Sequence, residues 1–182
     1  MAAFPPFSES CATPPILSVF AQSAGTASIW GVILIGQFDS PFVRRVGVAL
    51  ELYDLTYEHR PWSVWRDADA IAPYNPLRRV PTLILDDGES LIDSAAILDF
   101  LDERVGEAKA LVPRQGKVRR EVLHVTALAT GLADKGVSLF YERLLHENIS
   151  DAWVARCRTQ ITAVSEVLES DRARRLTRYW FG

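Results

Sequence analysis

Cysteine is scarce in this chain of 182 residues: there are two, Cys11 and Cys157. They form no C-x-x-C pair and no metal-ligand spacing, which excludes a disulfide scaffold and a redox dithiol motif. The three histidines, His59, His124 and His146, show no zinc-type pattern, so no metal is expected. Basic charge is not in excess: 20 Lys and Arg stand against 23 Asp and Glu, a net charge of −3. That balance excludes the overall positive field of a nucleic-acid binder. No run reaches the roughly 20 apolar residues of a membrane-spanning helix, so no membrane association is expected. No basic residue precedes Arg44. The N-terminus therefore lacks both the basic start of a secretory signal and the arginines of a transit peptide. A reducing, cytoplasmic location fits these absences.

What remains has the proportions of an ordinary folded protein, 48% apolar and 24% charged. Residues 1–30 carry one charge, Glu9, and are rich in Ala, Ser, Pro and Phe; they read as a poorly ordered N-terminal extension. From Val32 the pattern becomes dense. Val32–Gln37 reads as a strand, Pro41 to about Tyr53 as a helix, and Thr56–Pro61 as a second strand. Trp62–Ala72 reads as a short helix and Thr82–Leu85 as a third strand. Asp86-Asp87-Gly88-Glu89 then has hairpin-turn chemistry, and Ser90–Ile92 is the return strand. Ser94 is expected to cap a helix running to about Arg104, with Ala95, Ile97, Leu98 and Leu101 inward. The order is βαβαββα, and its strand–helix alternation implies parallel crossovers before the final antiparallel hairpin. Residues 107–116 read as a linker. Residues 117–182 are helical: Lys117 to about Leu145, with a bend expected at Gly131 and Gly136, then Asp151 to about Leu168 capped by Ser150.

Three stretches carry candidate chemistry. In Asp39-Ser40-Pro41-Phe42, Pro41 suits the first helical position and Ser40 the N-cap, which sets a hydroxyl beside free helix N–H groups. The plain alternative is a helix cap and nothing more. Val80-Pro81, just before a strand, is a candidate cis peptide that would turn the Val80 N–H and C=O outward to pair with an extended ligand. The alternative is a trans proline opening an edge strand. In Asp93-Ser94, the serine can offer a hydroxyl to a carboxylate and the aspartate can face an ammonium group; the alternative is a cap beside a solvated acid. Each stretch adjoins a strand end of one small sheet. They can therefore converge on a ligand with a thiol, a peptide backbone and an amino-acid end, as in glutathione.

Read together, Ser40-Pro41-Phe42-Val43-Arg44-Arg45-Val46, Asn75-Pro76-Leu77-Arg78-Arg79-Val80-Pro81-Thr82-Leu83 and Leu91-Ile92-Asp93-Ser94-Ala95-Ala96-Ile97 resemble the N-terminal domain of glutathione S-transferases. The likeness is nearest to bacterial members with a Ser-Pro-Phe start to the first helix. It implies an α/β thioredoxin-like domain over residues 31–106, followed by a partial all-α domain. It also implies glutathione as co-substrate. Ser40 would stand beside the sulfur, Val80 before cis Pro81 would pair with the cysteinyl backbone, Asp93 and Ser94 would hold the γ-glutamyl end, and Arg79 would meet the glycyl carboxylate. Arg78 departs from the glycine common at its position. The resemblance implies conjugation of glutathione to a small electrophile, with a homodimer as the expected assembly. Alternatives are a non-catalytic interaction module and a thiol transferase or isomerase. Family members extend past Gly182 with a further buried helix, so a truncated helical domain and an incomplete electrophile pocket are expected.

Overall fold

The computed structural model describes residues 31–181; the extension expected at residues 1–30 lies outside them. The elements in order are β1 Val32–Ile35, α1 Pro41–Leu52, β2 Tyr57–Arg60, α2 Ala68–Ile71, β3 Thr82–Ile84, β4 Ser90–Ile92, α3 Ser94–Val105, α4 Gly116–Leu145 and α5 Asp151–Ala173. The thioredoxin-like sheet runs β2-β1-β3-β4, with β1 parallel to β2 and antiparallel to β3, and β3 antiparallel to β4. A helical pair, α4 and α5, follows it.

The strand β1 is apolar throughout because it is central and covered on both faces. Val32 and Leu34 point to one face with Val43, Val46, Leu50, Leu83, Ile97 and Leu101 of α1, β3 and α3. Ile35 points to the other, with Ile71 of α2 and Ile84. This is period-2 alternation filling two separate cores.

Two expectations are corrected here. Only one crossover, β1–α1–β2, is parallel. The expected helix over 62–72 shrinks to the four residues of α2, too short to carry the chain back along a strand, so β3 starts at the sheet edge where β2 ended and runs antiparallel to β1. The helix fails over 62–67 because local side chains take the backbone donors. Asp67 accepts from Ser63 N–H at 2.7 Å, and Ser63 Oγ accepts from the N–H groups of Trp65 and Arg66.

Between α3 and α4 the chain is tied down by side chains distant in sequence. Asp102 is buried and accepts from the Tyr53 hydroxyl, from Leu111 N–H at 3.0 Å and from Val112 N–H at 3.2 Å. Burial and the bond to Asp102 push the Tyr53 phenol well above its ordinary range. The helix α4 runs as one continuous element through Gly131 and Gly136, where a Cβ would meet nothing within 4 Å. Ser150 caps α5 through Trp153 N–H at 3.3 Å. Glu142 accepts from Ser150 N–H and contacts His146, and these bonds hold its carboxyl below the usual carboxylate range. Of the α4 residues expected inside, Val122 is buried and Val118 is exposed, while Val125 and Leu128 are partly covered, as is Ile161 of α5.

Candidate functional site

The topology brings four chain ends to one edge of the sheet. β1 and β2 finish there; β3, antiparallel to β1, begins there; β4, antiparallel to β3, finishes there. Ser40, Val80 and Asp93-Ser94 thus follow or precede β1, β3 and β4 in the spatial order of the strands. From β1 to β4 is two strand spacings, about 9.5 Å. Three extended residues reach at most about 10 Å, so a ligand the length of a tripeptide matches the span from Ser40 to Ser94.

Each station has its own local cause. Ser40 is the N-cap of α1, with Pro41 following, and its Oγ accepts from Val43 N–H at 3.4 Å. The loop before it is fixed from several sides. Arg44 donates twice to Phe38 O, at 2.9 and 2.7 Å, and His59 Nε2–H donates to Gly36 O at 2.8 Å. The His59 ring also stacks on Phe38, centroids 4.2 Å apart.

The peptide Val80-Pro81 is cis. The Val80 N–H and C=O carry no hydrogen bond to any described residue. Asn75, almost fully buried, sets this segment: its Nδ2 donates to Arg79 O at 2.9 Å and to Thr82 Oγ1 at 3.2 Å, and its Oδ1 accepts from Leu77 N–H at 3.0 Å. Asn75 belongs to a stretch singled out in the sequence, yet nothing local in it announces this bracing role.

At β4–α3 the expected cap is corrected. Asp93, at φ 70°, is the N-cap, and its Oδ1 accepts from Ala95 N–H at 2.8 Å. Ser94 is the first helical residue, and its buried hydroxyl accepts from Arg45 Nη1 at 3.4 Å. Aspartate wins the cap because it lies one residue nearer the strand and its carboxylate reaches the second helical N–H. Ala95, expected inside, is exposed and lines the cleft.

These stations open onto two adjoining cavities rather than one. Ser40 lines the larger, about 680 Å³, with Trp62, Val64, Trp65, Val137, Phe140, Tyr141 and Leu145. Pro81, Asp93 and Ser94 line the smaller, about 430 Å³, with Arg45 and, from α4, Ala127, Thr130 and Gly131. Arg79, Val80, Phe42 and Asp134 line both. The first cavity is mainly apolar and aromatic, with Trp65 edge-on to Tyr141 at 5.8 Å; the second adds the charged and hydroxyl groups of Arg45, Asp93, Ser94 and Thr130. The α4 wall and Arg45 were missed by sequence reading. An inward residue of a long helix has no local signature of a cleft, whereas Arg45 sits inside a recognised stretch.

Arg78 takes φ 51°, the left-handed conformation that glycine adopts without penalty. Arg78→Gly is expected to raise the unfolding free energy by about 0.5–1 kcal/mol, the relieved strain of about 1–2 kcal/mol being partly offset by glycine's greater unfolded-state freedom. The exposed pair Arg78–Asp69, at 3.1 Å, contributes little to the balance. Urea denaturation of both proteins measures the difference, and a destabilised variant refutes it.

The family model for the glutathione S-transferase N-terminal domain matches residues 34–109. The uncharacterised GST-like protein YibF of Escherichia coli is 31% identical over 137 residues, covering 75% of this chain and 67% of that protein. A glutathione transferase family member from Pseudomonas fluorescens, solved with bound glutathione, superposes with a TM-score of 0.68 at 35% identity, over 77% of this chain and 71% of that one. A glutathione S-transferase from Methylobacillus flagellatus, also solved with glutathione, gives a TM-score of 0.73 at 27% identity, over 80% and 72% of the two chains.

Proposed function

Because this chain belongs to the glutathione S-transferase family, we propose that it binds glutathione along the strand-end cleft and conjugates it through its sulfur to a small apolar electrophile. The observation that carries the reading is the order of groups along that cleft. A free hydroxyl proton, an unpaired peptide group and an acid–serine pair stand in sequence across about two strand spacings, roughly 9.5 Å. They match a thiol, a peptide backbone and an amino-acid end, in that order. Arg79, exposed and lining both cavities, supplies a cation for the glycyl carboxylate.

A free thiol has a pKa of about 8.5 and is mostly protonated at neutral pH. Depressing it by about two units requires roughly 2.7 kcal/mol of preferential thiolate stabilisation. A hydrogen bond to a charged group contributes about 1.5–3 kcal/mol, so one well-aimed donor is of the right size. Ser40 is that donor: its oxygen already accepts from Val43 N–H, which leaves its own proton for the sulfur. The positive end of α1 acts in the same direction. The thiol proton passes to water. The thiolate then forms a new S–C bond as the electrophile's leaving-group bond or π bond breaks. Serine at position 40 cannot form a mixed disulfide, which favours conjugation over thiol transfer. The cavity of about 680 Å³ walled by Trp62, Trp65, Phe140 and Tyr141 suits an apolar or aromatic electrophile.

Calorimetric titration with reduced glutathione, followed by a conjugation assay with an activated aryl halide, tests this. Binding in the micromolar to millimolar range usual for enzyme substrates is expected, with conjugate accumulating in proportion to enzyme. A folded sample that binds no glutathione at millimolar concentration refutes the proposal and favours a non-catalytic interaction module. Binding without conjugation, but with turnover of a disulfide substrate, favours thiol transfer.

A further inference from the structure

Trp65 belongs to no helix or strand: it stands on the connection between β2 and α2, with 60% of its surface exposed. Its position is fixed all the same. Asp67 accepts from Ser63 N–H at 2.7 Å and returns its own N–H to Ser63 O at 2.9 Å. Inside that loop, Ser63 Oγ accepts from Trp65 N–H at 3.3 Å and from Arg66 N–H at 3.4 Å. The pinned loop sends the indole across to α4, where it meets Tyr141 with ring centroids 5.8 Å apart and planes at 71°. Tyr141 meets Phe140 in turn, at 5.5 Å and 62°. All three rings line the larger cavity, and Phe140 is 59% exposed. Exposed apolar residues scattered singly need no explanation, but rings gathered on the wall of one cavity mark a surface that meets a ligand.

The angle between the rings says what kind of ligand. An aromatic ring is electron-rich on its face and electron-poor at its edge, so ring pairs favour offset-stacked or edge-to-face arrangements. Two rings near the perpendicular form a corner. A third flat ring placed there lies parallel to one and edge-on to the other, so both of its contacts are favourable. A saturated ring of similar size fills the same space and buries similar apolar area, but it has no such face. We propose that this corner selects electrophiles carrying a flat conjugated ring over equally apolar saturated ones, and that Trp65 is the residue that sets the preference. The inference rests on the glutathione reading above and adds to it a pocket that reads planarity as well as apolarity. A ring that takes no part in the bond change is held alike before and during reaction, so the preference belongs in KM, with kcat little moved.

The test compares benzyl isothiocyanate with cyclohexylmethyl isothiocyanate, which share a reacting group and differ in the flatness of the ring. In both, the thiolate sulfur bonds the central carbon of N=C=S, the C=N π pair moves to nitrogen, and nitrogen takes a proton from water. Each kcat/KM is divided by the rate with free glutathione, which removes intrinsic reactivity. Wild type is expected to prefer the benzyl compound by about 5–30-fold, the product of two ring contacts. In Trp65→Leu that ratio is expected to fall by about 3–10-fold, through KM, with the glutathione affinity unchanged; Trp65→Phe, which keeps a ring, is expected to retain most of it. Urea midpoints verify folding. Wild type that turns over both compounds equally overturns the proposal and leaves the glutathione reading standing. So does a folded Trp65→Leu with an unchanged ratio, or one whose glutathione affinity falls with both rates alike. If Trp65→Leu does not fold, Trp65→Gln takes its place on the same criterion, and failure of both to fold assigns Trp65 to the structure and overturns the proposal too. Wild type that binds no glutathione removes the glutathione reading and this inference with it.

Discussion

Gly36→Ala is expected to lower the unfolding free energy by about 3–5 kcal/mol, combining backbone strain of about 1–3 kcal/mol with overpacking of similar size. Gly36 follows β1 at φ 131°, a conformation that residues with a Cβ rarely adopt. A Cβ there would lie 2.5 Å from Val43 Cγ2 and 2.7 Å from Val80 Cβ. Neither neighbour can yield cheaply. Val43 is fully buried in the core of α1, and Val80 follows a carbonyl held by Asn75 and Thr82. The loss is a large part of the 5–15 kcal/mol that typical domains possess. Gly88→Ala is the control: φ is 90°, but no atom lies within 4 Å, so only strain of about 1–2 kcal/mol is expected. Urea denaturation of the two variants beside wild type measures the contrast. Equal losses at the two positions would mean that close approach at Gly36 carries no weight. The same displacement shifts Val80, so a Gly36→Ala sample that still folds is expected to bind glutathione more weakly.

Ser40→Ala is expected to raise the pKa of enzyme-bound glutathione by about one to two units, toward 8.5, by removing a hydrogen bond of about 1.5–3 kcal/mol from the thiolate. Each unit is tenfold in thiolate at a pH below both pKa values. At such a pH conjugation should therefore fall by about 3–12-fold, less than the thiolate loss because each unit of added basicity makes the thiolate about threefold more nucleophilic. The sign fixes the profile. Wild type keeps its thiolate from the lowered pKa upward, the variant only from the free-thiol value upward, so the two rates converge in alkaline solution. Glutathione affinity should change little, since the peptide and amino-acid ends are held elsewhere. A further loss of about 1 kcal/mol in stability is expected from the missing helix cap. Thiolate absorbance of the bound peptide across pH, beside the rate profile, decides the matter; an unmoved thiol pKa assigns Ser40 to capping alone.

Both variants sit at places where local sequence and tertiary structure contribute unequally. The N-cap at Ser40 and the proline after it were legible because a helix start is a short-range matter of one hydroxyl, two N–H groups and a fixed φ. The hairpin at Asp86–Glu89 and the helix following Asp93 were legible for the same reason. Residues 62–72 were misread because the apolar spacing there is weak, and Ser63 and Asp67 compete for the backbone at a range no periodicity registers. The cap at β4–α3 slipped by one residue for a related reason: two adjacent residues can both cap, and the strand end decides between them.

The sequence by itself determined the four strands, the start of α1 and the order of the groups that meet the proposed ligand, since propensity, alternation and capping act within a few residues. Only the tertiary structure decided that β3 runs antiparallel to β1, which carries Ser40, Val80 and Ser94 to one edge. It alone brought Arg45 to Ser94, 49 residues away, Asn75 under Arg79, and α4 across the cleft to divide it into a mainly apolar chamber and one with more charged and hydroxyl groups. Those juxtapositions come from packing between segments far apart in the chain, where the free energy depends on what each surface meets and no local pattern encodes the meeting.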